Sequence, residues 1–134
     1  MQDQAQHPPR LRDWRVLVLE DEALVGAEIE DALSAAGASV IGPIASLAEA
    51  LRRLSDERPD AAVVDINLGG AWALPALNRL AALGVPTVIV TGYALDALAE
   101  IAGRFDICEK PMDSADLIRR LCAAVAKTDV RTPG

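Results

Sequence analysis

Aromatic side chains are nearly missing from this chain of 134 residues: one Phe, one Tyr and two Trp, 3% in all. Without large rings, a core has to be filled by Ala, Val, Leu and Ile. Such side chains let helices approach a sheet closely, as α/β folds require. Cysteine is equally scarce. Cys108 and Cys122 stand fourteen positions apart, with no CxxC spacing. That excludes a structural zinc site and a dithiol redox pair, and predicts two buried free thiols of a cytosolic protein. The one histidine, His7, lies in a polar stretch without a charged partner or a helical frame, so it is not read as a metal or phosphotransfer site. Cationic excess is lacking too. Thirteen Lys and Arg against 20 Asp and Glu leave a net charge of −7, which argues against nucleic acid and anionic membrane as partners, because phosphate binding needs clustered Lys and Arg. No run approaches the ~18 apolar residues of a membrane span, and the amino terminus carries no apolar signal segment. A soluble, cytoplasmic chain is expected.

What the chain does have is short apolar runs that stop at polar residues. Ala61-Ala62-Val63-Val64 leads into Asp65 and then into the turn Asn67-Leu68-Gly69-Gly70. A strand covered on both faces shows no polar alternation, so this run reads as a buried parallel strand that presents Asp65 at its carboxyl end. Val16-Leu17-Val18-Leu19 repeats the pattern and ends in Glu20-Asp21-Glu22; Thr87-Val88-Ile89-Val90 ends in Thr91-Gly92-Tyr93. Ser39 to Ile44, interrupted by Gly42-Pro43, suits an edge strand, and Phe105 to Cys108 is a short strand followed by Glu109-Lys110-Pro111.

Helical stripes lie between these runs. Val25, Ile29, Leu33 and Ala36 share one face before Gly37. Ser46 and Glu49 form a capping box ahead of Leu47, Leu51 and Leu54. Leu74, Leu77 and Leu80 mark a third helix, Leu95, Leu98 and Ile101 a short fourth, and Leu117, Leu121 and Val125 a last one from about Asp113 to Ala126. Five strands alternating with helices predict a parallel sheet with right-handed crossovers and helices on both faces. Residues 1–13 are expected to be a disordered tail, 14–127 one domain and 128–134 a flexible end.

In a flavodoxin-like strand order, 2-1-3-4-5, the first and third strands are neighbours at the point where the chain reverses direction. Glu20, Asp21 and Asp65 then share one crevice, with Thr91 and Lys110 along the same edge. Three carboxylates packed together repel one another unless a cation neutralises them. Oxygen-only ligands with room for water describe Mg²⁺ rather than zinc or copper. An ionised Asp65 could then act as a nucleophile toward phosphorus, with Lys110 and the Thr91 hydroxyl facing the phosphoryl oxygens. Each residue also has a plainer role available, as helix cap, turn residue, strand end or surface charge. Their joint occurrence at successive strand ends carries the inference.

Leu-Glu-Asp-Glu at 19 to 22, Val-Val-Asp-Ile-Asn-Leu at 63 to 68, Val-Thr-Gly-Tyr at 90 to 93 and Glu-Lys-Pro at 109 to 111 resemble, in order, the motifs of receiver domains of two-component response regulators, over roughly Arg15 to Lys127. The resemblance implies that Asp65 accepts a phosphoryl group from a sensor histidine kinase or a histidine phosphotransfer protein. It also implies that Glu20, Asp21 and the Asn67 backbone carbonyl help Asp65 hold Mg²⁺, that Thr91 reports phosphorylation, and that Lys110 pairs with the phosphoryl group. A cis bond before Pro111 is implied as well. The chain departs from the family where a switch Tyr or Phe is common, since Ile107 stands there, and the Thr91 to Lys110 segment is short. Val-Thr-Gly-Tyr and the Asn-Leu-Gly-Gly turn resemble single-domain receivers, with Tyr93 as an alternative coupling residue. The expected function is therefore a stand-alone phospho-accepting switch rather than an enzyme, with its downstream partner unassigned and homodimerisation left open. A Mg²⁺-dependent phosphohydrolase and an inert receiver-like interaction module are the competing readings.

Overall fold

The computed structural model describes residues 11–92, 101 and 103–128. Five strands, β1 (Arg15–Leu19), β2 (Ser39–Ile44), β3 (Ala61–Asp65), β4 (Thr87–Thr91) and β5 (Asp106–Glu109), form one sheet in the order β2-β1-β3-β4-β5. Every neighbouring pair is parallel. This is the expected flavodoxin-like arrangement.

The unbroken apolar runs sort cleanly by parity. Leu17, Leu19, Ala62, Val64 and Ile89 point to one face, where α2 (Leu47–Asp56) supplies Ala50 and Leu54 and α3 (Leu74–Ala82) supplies Ala76, Leu77 and Leu80. Val16, Val18, Ala61, Val63, Val88 and Val90 point to the other, against Ile29 and Leu33 of α1 (Ala23–Ala35) and Leu117, Leu121 and Val125 of α4 (Ser114–Thr128). Strands that bury both faces need no polar alternation, which is why β3 and β4 are buried at every position. The edge strands β2 and β5 are the ones interrupted by exposed residues. Each buried Val, Leu or Ile contributes about 1.5–3 kcal/mol by removal from water.

Local chemistry follows the reading in most places. Ser46 Oγ accepts from Glu49 N at 3.1 Å and caps α2, while the Glu49 carboxylate turns to Arg52 instead of closing the box. Asp113 Oδ1 accepts from Ala115 N at 2.9 Å at the start of α4. The peptide bonds before Pro43 and Pro111 are cis. Cys108 is buried and Cys122 half-buried, and both are free thiols.

Several boundaries differ from expectation. Leu11, assigned above to the disordered tail, is fully buried beside α1, and its N–H donates to Ala36 O at 2.9 Å. The polar composition of the first ten residues masks one apolar side chain that covers the end of α1. Strand β5 begins one residue later than expected, and α4 runs on to Thr128, into the segment read as a flexible end. The Gly69-Gly70 turn closes a two-stranded ribbon in which Asn67 pairs with Trp72 and Leu68 with Ala71. Both glycines have positive φ, 59° and 91°, the mirror-image turn that matches strand twist and that side chains disfavour. The residues for which the fourth helix and the role of Tyr93 were expected lie outside the described residues, except Ile101, which is buried on the α2 and α3 side.

Candidate functional site

Glu20, Asp65, Thr91 and Lys110 sit at the carboxyl end of a strand of the sheet or just beyond it. Glu20 follows β1, Asp65 and Thr91 end β3 and β4, and Lys110 follows β5. The register aligns these ends: Leu19 pairs with Val64, Asp65 with Val90, and Thr91 with Glu109. A further bond, Lys110 N to Thr91 O at 2.8 Å, carries the ladder one residue past β5 and aims the lysine across the edge. Thr91 is fully buried.

One carboxylate oxygen from each of Glu20, Asp21 and Asp65 lies within 4.8 Å of the others. Asp65 is 6% exposed; its Oδ1 accepts from Asn67 N at 3.0 Å and its Oδ2 from Lys110 Nζ at 3.1 Å. Asp21 is exposed, and its Oδ2 accepts from Gly69 N at 2.8 Å, which ties the acidic loop after β1 to the ribbon after β3. The ribbon turn is itself braced by Gly70 N donating to Asn67 Oδ1 at 2.8 Å.

Glu20 is the most deeply buried of the three acids. Its Oε1 is buried and accepts no hydrogen bond; the Lys110 ammonium is 3.3 Å away. Burial, and then the adjacent Asp65 carboxylate, push its pKa up from 4.5 to about 7, against the opposing Glu22 N–H and Lys110. For Lys110, burial acts to lower the pKa, but hydrogen bonds to Glu22 and Asp65 outweigh it and hold the ammonium above its ordinary value. One cation thus faces a cluster of acids and does not neutralise it. A buried carboxylate oxygen with an ion-pair contact but no hydrogen bond, two further carboxylates and a solvent-facing side at Asp21 fit a hard divalent cation that keeps some of its water, as Mg²⁺ does.

Two groups in this network were not assigned a role from the sequence. Glu22 makes an ion pair with Lys110, and the Gly69 N–H anchors Asp21. Glu22 was visible as the third acid of Glu20-Asp21-Glu22, but nothing in its spacing distinguishes it from a helix cap. A cavity of about 600 Å³ lies at the opposite edge of β4 and β5, lined by Val85, Thr87, Phe105, Asp106 and Lys127, away from the converging charges.

The response regulator receiver domain model matches residues 16–122. The transcriptional regulatory protein PrrA of Mycobacterium leprae is 34% identical over 118 residues, covering 84% of this chain and 50% of that protein. The chain spans about half the length of the curated relatives it matches. Among solved structures, SdrG from Sphingomonas melonis is 31% identical with a TM-score of 0.73, covering 87% of this chain and 98% of that one. The receiver domain of the sensor histidine kinase PA1611 from Pseudomonas aeruginosa, which has magnesium coordinated in its active site cleft, is 26% identical with a TM-score of 0.74, covering 85% and 98%.

Proposed function

The chain belongs to the response regulator receiver domain family, and from that premise we propose that it is a phosphorylation switch whose acceptor is Asp65. The observation that carries the reading is the contact of Lys110 Nζ with Asp65 Oδ2 at 3.1 Å beside the Glu20, Asp21 and Asp65 cluster. A carboxylate nucleophile, a cation beside it and a second cation site are what phosphoryl transfer to an acid requires.

In this reading an Asp65 oxygen attacks the phosphorus of a phosphohistidine on a sensor kinase or a histidine phosphotransfer protein. The P–N bond breaks, and the leaving imidazole nitrogen takes up a proton. Glu20, Asp21, Asp65 and the Asn67 backbone carbonyl would hold Mg²⁺, which neutralises the charge gathering on the phosphoryl oxygens. Lys110 keeps its positive charge and is placed to receive one of those oxygens, while Thr91 closes the buried side. The new acyl phosphate adds roughly −1.5 to −2 charges next to Lys110 and Thr91. That charge would bias the loop after β4 between two arrangements and alter what the surface binds. The receiver would act in the cytoplasm through protein contacts, and its net charge of −7 does not favour nucleic acid or anionic membrane as a partner. Among the described residues, no helix is long and apolar enough to cross a membrane.

Acetyl phosphate with MgCl₂, followed by intact mass measurement of wild type and Asp65→Asn, tests the reading. One phosphoryl adduct, lost in the variant and in EDTA, supports it. Catalytic turnover of phosphomonoesters would make the chain a hydrolase, and no reaction would make it an interaction module.

A further inference from the structure

Lys110 carries three N–H donors and meets three carboxylates: Glu20, with Oε1 3.3 Å from the nitrogen, Asp65, with Oδ2 at 3.1 Å, and Glu22. Two of these acids belong to the candidate metal cluster, and Glu22 does not. A divalent cation on Glu20 and Asp65 would bring two positive groups onto the same oxygens. The ammonium would have to give up part of that contact, and Glu22 is the partner it would keep.

Glu22 is built for this in two respects. It is the N-cap residue of α1, yet its side chain makes no capping bond to the helix; the carboxylate turns to Lys110 instead. Its backbone is held in place, because Glu22 N donates to Glu20 Oε2 at 3.1 Å, while its side chain remains 60% exposed and free to follow the ammonium.

We propose that Glu22 is a positioning residue that gives the Lys110 ammonium a partner outside the metal cluster, so that the lysine can yield Glu20 and Asp65 oxygens to a divalent cation and still stay within reach of the acceptor. The proposal rests on the Mg²⁺ reading given above. It predicts that Glu22 acts on metal affinity through Lys110 rather than through its own charge alone.

The test is a double-mutant cycle with MgCl₂ as titrant. The full chain, Glu22→Gln, Lys110→Met and the double variant are titrated, with binding read by tryptophan fluorescence and by calorimetry. Glu22→Gln is expected to weaken Mg²⁺ binding about fivefold, the upper range for a partly exposed charge pair, and to have almost no effect in the Lys110→Met background. An equal loss in both backgrounds would reduce Glu22 to a general contribution to the negative field and overturn the proposal. An unchanged affinity in Glu22→Gln would overturn it as well. Absence of Mg²⁺ binding by the wild type would instead remove the metal reading beneath it. Glu22→Gln lies on the surface, and circular dichroism of all four proteins checks that they are folded.

Discussion

The Lys110 ammonium and the Asp65 carboxylate, 45 residues apart in the chain, meet at 3.1 Å across the carboxyl edge of the sheet. Asp65 also adds to the negative charge that burdens Glu20. An acid packed against another buried acid in this way opposes the stability of its own site. Asp65→Asn is therefore expected to leave the Mg²⁺-free protein as stable as wild type or more stable by about 1 kcal/mol, while abolishing phosphorylation. Urea denaturation in EDTA measures it; a loss of stability would show that the Lys110 contact outweighs the repulsion.

Glu20 makes stability depend on pH. Its pKa is about 7 in the folded protein against 4.5 ordinarily, so the folded state binds more protons than the unfolded state between those values, and stability falls as pH rises through that window. In EDTA the wild type should therefore lose stability from about pH 5 to pH 7.5 more steeply than Glu20→Gln. Saturating Mg²⁺ should flatten the difference by favouring the ionised carboxylate. Equal slopes for the two proteins in EDTA would refute this.

Leu11 anchors the chain ahead of β1. It is fully buried, so Leu11→Ala should cost about 2–5 kcal/mol in chemical denaturation, as large-to-small core changes do. If residues before β1 were only a tail, the change would be within experimental scatter.

Gly42 is pinned by its surroundings. Its φ is 113°, and a Cβ there would stand 2.7 Å from Ile44 N and 2.8 Å from Val18 O. Gly42→Ala should destabilise by more than about 1 kcal/mol, with Gly70→Ala as a comparison: a positive φ of 91° but nothing within 4 Å of the added carbon. A smaller loss at Gly42 than at Gly70 would show that β2 yields easily at the edge.

Most of the fold, and the strand ends at which the proposed site residues sit, were legible in the sequence. Apolar runs of four residues with no polar alternation can be stable only when both faces are covered, which requires helices on both sides of a parallel sheet. A polar residue closing such a run then falls at the strand end, so Glu20, Asp65 and Thr91 could be placed by position alone. The turn at Gly69-Gly70 was legible for the same kind of reason; the ribbon around it was not, because two-residue strands leave no periodicity to read. Leu11 was missed because a single apolar residue in a polar stretch has no pattern.

The sequence by itself determined which side chains reach the carboxyl edge of the sheet: acids, a threonine and a lysine at strand ends that the observed topology brings together. Only the tertiary structure decided how the charges are shared. Whether Glu22 caps its helix or pairs with Lys110 depends on a contact across 88 residues, and whether Glu20 is ionised depends on how deeply the folded chain buries it. Hydrophobic periodicity is local and survives in the one-dimensional order of residues. Electrostatic partnership depends on distance and burial, and these exist only once the strands are side by side.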